Sequence, residues 1–212
     1  MVVIGLTLSS AVAIAQKKTA PPRPMSSAAA FKLDMRKLWE DHITWTRNVI
    51  FCIADNLPGS DQAVKRLMQN QSDIGDAVKP YFGAEAAKRL TALLKEHISI
   101  AADLVKSAKA GNDTNFESIK KNWYANADTI SEFLSKVNVH WPVKEMKMMM
   151  KDHLDLTLDE VTQRVKKNYD ADTNAWEKVH LEILKMSDML ADGIVRQFPD
   201  RFRTPAGKPV PK

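Results

Sequence analysis

The sequence predicts an all-α domain of six amphipathic helices, arranged as three antiparallel helical hairpins. Three observations lead there. Apolar residues recur every three or four positions across residues 31–198, with no sustained strand alternation. Glycine and proline are few, 7 and 10 in 212 residues, and most prolines lie near the ends. The segments "LWEDHI", "LLKEHI" and "MMKDHL" each put an acid before a histidine, with His42, His97 and His153 spaced 55 and 56 residues apart.

Each helix has its own punctuation. The first runs from about Phe31 to Asp55 and stops at "NLPGS". A second opens near Ser60 and is expected to end before Pro80, because proline disfavours helical geometry in the residue before it. The third runs from about Ala84 to Ala110 and meets Gly111, a good helix stop. Thr114 and Glu117 form a T-x-x-E capping box for the fourth, which fades at Val137. Pro142 sits at a favoured first-turn position of the fifth. The sixth begins near Asp170 and runs to Gln197, before Pro199.

Counting onward from the three histidines, Asn70, Asn126 and His180 fall 28, 29 and 27 residues later. The repeating unit is therefore a hairpin, at 31–83, 84–139 and 140–199. Three units are few for an open solenoid, so a closed bundle and a short solenoid both fit.

The ends read differently. "MVVIGLTLSSAVAIA" is a short apolar run closed by a small-x-small triplet, the pattern of a secretory signal cleaved after Ala15. It places the mature chain in the periplasm or outside the cell, with no transmembrane segment left. Residues 16–30 and 200–212 are basic, Pro-rich stretches expected to be disordered. Each carries +3 of the net +5, which leaves −1 for the body. A nucleic-acid binder concentrates positive charge on a folded face, so nucleic acid is excluded as a partner. The lone Cys52 permits no internal disulfide and reads as a small core residue beside Val49 and Ile53.

The polar residues inside the apolar stripes carry the functional question. Leu38, His42, Trp45 and Val49 share one face, as do Leu93, His97, Ile100 and Leu104. Met149, His153, Leu156 and then Glu160 form a third, and Trp176, His180, Ile183 and Leu190 a fourth. Asn70 and Asn126 sit likewise, Asn126 on a face with Trp123. Each such group left unpaired costs about 1–3 kcal/mol, so all six must be paired, hydrated or bound. The first reading is a His–Asn or His–His hydrogen-bond network inside each hairpin. The alternative is a zinc, copper or iron site where His42, His97, His153 and His180 converge, with Glu177 of a single Glu-x-x-His pattern. Asn70, Asn126, Trp45 and Trp123 are the candidate ligand contacts. Asp41, Glu96 and Asp152 lie about 100° round from their histidines and flank the core face. Met146, Met149 and Met150 have core spacing and read as packing.

Residues 31–198 resemble a family of small exported all-helical bacterial proteins for which no function is established. The resemblance rests on "LWEDHITWTR" at 38–47, "WYANA" at 123–127 and "DGIVRQFPDRF" at 192–202. Members often bear an automatic glycosyltransferase label. The residues argue against that activity. Asp170-Ala171-Asp172 mimics the metal-binding D-x-D, but here the acids open a helix, where they suit its dipole. No P-loop, dinucleotide fingerprint or nucleophile elbow occurs. The sequence reading is thus a protein that binds a small ligand, a metal ion or an envelope protein, without chemistry of its own.

Overall fold

A computed structural model describes residues 27–203, and among these every regular element is helical. The signal-peptide reading at 1–15 and most of both tails lie outside the described residues. The helices are α1 (Ser27–Asp55), α2 (Ser60–Ala110), α3 (Asp113–Val137), α4 (Val143–Val165) and α5 (Tyr169–Gln197), followed by a 3₁₀ turn (Pro199–Phe202). Consecutive helices pack together and α5 returns against α1, so the bundle is closed. No helix among the described residues is long and apolar enough to cross a membrane.

Five helices stand where the sequence predicts six, because α2 runs through the expected boundary. Pro80 lies inside it, and the break comes at Gly83, with φ 83° and ψ 172°. That backbone region is open essentially to glycine alone. The chain folds back there: a Cβ placed on Gly75 would meet the Thr91 side chain and the Ala87 carbonyl, so 60–82 and 84–110 lie against each other. The other differences are local. The cap of α3 is Asn112, whose side chain accepts the Asn115 N–H at 3.1 Å; Thr114 is exposed. α1 already begins at Ser27, inside the stretch expected to be disordered.

The C-terminal end of the fold also differs. Phe202 stacks on Tyr81 at 5.5 Å and meets Phe31 at 5.2 Å, while the Ser27 hydroxyl donates to the Phe202 carbonyl at 2.6 Å. Phe202 therefore packs against the core from within the stretch expected to be disordered, while Asp200 and Arg201 beside it are exposed.

Three levels stack along the bundle. At the Gly83 end, Phe31, Tyr81, Phe82, Trp141, Phe198 and Phe202 form an aromatic cluster. About three turns further along α1 and α4 lie the buried histidines. At the far end, Arg47, Arg164 and Lys167 meet Asp55, Glu160 and Asp172. Phe51 packs beneath both arginines, with guanidinium carbons 4.5 and 3.7 Å from its ring centre.

Candidate functional site

His42, His97 and His153 are only 4, 4 and 6% exposed. Each is fixed through Nδ1 to a side chain 29 residues further on. His97 donates to Asn126 Oδ1 at 2.8 Å, and His153 to Glu182 Oε2 at 2.9 Å. His42 Nδ1 stands 3.2 Å from Gln71 Nε2. A residue of positive φ sits 14 positions after each histidine: Asn56, Gly111 and Lys167. They sit in the turns after α1, α2 and α4, at the 55- and 56-residue pitch of the histidines.

The partners decide the tautomers. A carboxylate only accepts, so His153 carries a proton on Nδ1. Asn126 gives its N–H to the Leu93 carbonyl at 3.4 Å and turns Oδ1 to His97, which likewise protonates Nδ1. Gln71 Nε2 also donates to the Leu67 carbonyl at 2.8 Å, so in this arrangement His42 Nδ1 accepts and Nε2 carries the proton. Gln71 Oε1 is buried without a partner. Turning that amide would present Oε1 to His42 only by setting it against the Leu67 carbonyl and Asn70 Oδ1, the two acceptors that hold Nε2 at 2.8 and 3.1 Å. His97 and His153 make these bonds through Nδ1, which leaves Nε2 of both rings outside them.

The rings share a neighbourhood. His42 and His153 have ring centres 6.0 Å apart. Burial, then the neighbouring His153 and His97, pushes His42 down to about 3. Burial pushes His97 down to about 4, against its bond to Asn126. Both are neutral imidazoles at any ordinary pH, able to ligate or to hydrogen-bond.

His42 and His153 also line an enclosed cavity of about 30 Å³. Its other polarisable donors are the thioethers of Met35, Met149, Met150 and Met186, and no carboxylate lines it. A space of that size takes one water molecule or one ion, and no organic ligand. Among the described residues no three His, Cys, Asp or Glu side chains are grouped so as to hold a metal ion. A ligand set here must draw on thioethers.

The remaining sequence candidates scatter. His180 is half-exposed and pairs with Glu40 at 3.1 Å, so it does not join the other three. Glu177 is exposed on the same helix. Ile183 and Leu190 of the expected α5 face are buried, but Trp176 and His180 are not, because the buried face runs through Asp172, Ala175, Val179, Ile183 and Met186. Asn70 is fully buried, donates to the Leu38 carbonyl at 3.0 Å and is a hydrogen-bond partner of His42, as expected, with Gln71 as a second one. Trp123 is buried and stacks on His97 at 5.2 Å, whereas Trp45 lies half-buried under the Arg66 guanidinium. Glu96 and Asp152 are exposed, and Asp41 bonds Lys37 at 2.6 Å, so none of the three acids touches a histidine. Met146 and Met150 pack in the core as expected, but Met148 is 58% exposed. Cys52 is half-buried and free.

Sequence reasoning missed the ionic end. Arg47 reaches Glu160 at 2.6 Å and Asp172 at 3.1 Å, and Arg164 reaches Asp172 at 3.2 Å. The signal was present, since Glu160 falls on the same face as His153. Burial pushes Glu160 up to about 7, with Arg47 opposing. The D-x-D pair is split: Asp170 is exposed, while Asp172 is buried and spent on the two arginines.

Comparison with protein-family models, with curated proteins and with solved structures gave no match.

Proposed function

We propose that this chain is an exported binding protein, built from three duplicated helical hairpins, whose ligand is a single transition-metal ion in the cavity beside His42 and His153. The duplication is supported by the Nδ1 partners at a constant 29 residues and the turn residues at a constant 14. Export is supported by the apolar leader closed at Ala15. The observation that carries the ligand is the cavity's lining: His42 and His153, with Met35, Met149, Met150 and Met186, border a space for one ion whose walls are otherwise apolar. Glu182 already accepts from His153 Nδ1, as a metal-ligating histidine requires. His42 joins as a ligand when its ring proton sits on Nδ1.

A hydrated network is the second reading, favoured by His42 as it stands. Its Nε2–H and the His153 lone pair together match one water molecule. Glycosyltransfer finds no support in the split D-x-D pair.

Chelation separates the two. An ion bound only by the folded state at about a hundred times its Kd adds about 2.7 kcal/mol. Stripping it with EDTA or bathocuproine should lower the wild-type Tm by about 5–10 °C. His42→Gln/His153→Gln should melt at one temperature with or without chelator. A wild-type Tm that neither reagent moves leaves the hydrated network in place and removes the metal.

A further inference from the structure

An open groove of about 980 Å³ runs along the outside of α4 and α5. Four thioethers line it: Met148, Met149, Met186 and Met189. Met149 and Met186 line the interior cavity as well, so they form the wall between groove and cavity. Glu182 lines the groove too, and it holds His153 Nδ1 at 2.9 Å. The groove thus connects to the histidine side of the cavity through flexible side chains alone.

We infer that the α4–α5 groove is the entry site for a monovalent soft cation, Cu(I), which Met149 and Met186 pass to the cavity. The inference rests on the metal reading above and narrows its class. Thioethers select Cu(I) over hard and borderline dications. The charge argument agrees. No carboxylate lines the cavity, and burying a dication among neutral donors costs far more than burying a monocation. The groove carries the acids Glu145, Asp152, Asp155 and Glu182 against Lys178 and Lys185, a net negative lining that attracts a cation from solution. Passage inward is ligand exchange. Copper stays Cu(I) throughout; a thioether–copper bond of the groove breaks as an imidazole–copper bond of the cavity forms.

Ag(I) is the probe, since it shares the soft, monovalent chemistry without redox change. It is titrated into full-length protein carrying ¹³C-methyl methionine, in chloride-free buffer. Met68 packs in a separate cluster and serves as the internal control. The expected result is movement of the Met148, Met149, Met186 and Met189 methyl signals up to about one equivalent, with Met68 still. Met148→Leu/Met189→Leu, a surface change that spares the fold, should weaken Ag(I) binding at least about tenfold. Groove signals that respond identically in His42→Gln/His153→Gln support the groove but overturn passage to the cavity. Met35 and Met150 signals, which belong to the cavity alone, moving while Met148 and Met189 stay still overturn the groove and spare the cavity ion. No response anywhere overturns both.

Discussion

Acidification from pH 7 to pH 5 should cost the fold about 2 kcal/mol, and about 4 kcal/mol once Glu160 is replaced by glutamine. The sign follows from which state holds the protons. His42 and His97 stay neutral in the fold down to about 3 and 4. In the unfolded chain both take a proton near 6.5. Below that pH the unfolded state binds more protons, so stability falls by about 1.4 kcal/mol per unit for each ring. Glu160 acts the other way. Its folded value is about 7, well above the unfolded value near 4.3, so its contribution is full below 4.3 and fades as pH rises to 7. From pH 7 to 5 it returns about 2 of the 4 kcal/mol lost. Urea unfolding of wild type and Glu160→Gln at pH 7, 6 and 5 checks this. Equal acid slopes in the two proteins would show that Glu160 is charged in the fold.

Gly193→Ala should destabilise by about 2 kcal/mol, although alanine is the better helix former. A Cβ there would lie 2.0 Å from Trp141 Nε1 and 2.6 Å from its Cδ1. Trp141 is 2% exposed and packs against Phe82 at 5.6 Å, so the indole has nowhere to retreat. Propensity favours alanine by about 1 kcal/mol, but overpacking a rigid core costs about 1–3 kcal/mol and more when ring atoms are struck. The expected net is a loss. The double change Gly193→Ala/Trp141→Leu should lose less than the two single changes added together, because the clash then disappears. Strict additivity would mean that α5 and the indole do not meet here.

How much was legible can be judged residue by residue. The all-helical class followed from periodicity, and the His97–Asn126 pair followed from the repeat. Gln71 and Glu182 did not. Each lies within two positions of the residue chosen, and one position turns a helix face by about 100°. α5 carries two interleaved apolar stripes, Trp176 with Leu184 and Val179 with Met186, and only packing against α1 and α4 selects the second. Pro80 misled because the chain bends three residues later, at a glycine whose φ no sequence pattern marks. Phe202 was hidden among basic, Pro-rich neighbours; its role depends on Tyr81, which the kink brings to it. The cavity was invisible for a simpler reason. Its donors come from α1, α4 and α5, and nothing local relates Met35 to Met186.

Metal content of the tag-free protein, purified natively from metal-replete cells, tests the cavity site most directly. Wild type should carry about one transition-metal equivalent per chain, and His42→Gln/His153→Gln less than about a tenth of that. Metal-free wild type, or equal metal in both proteins, would contradict it.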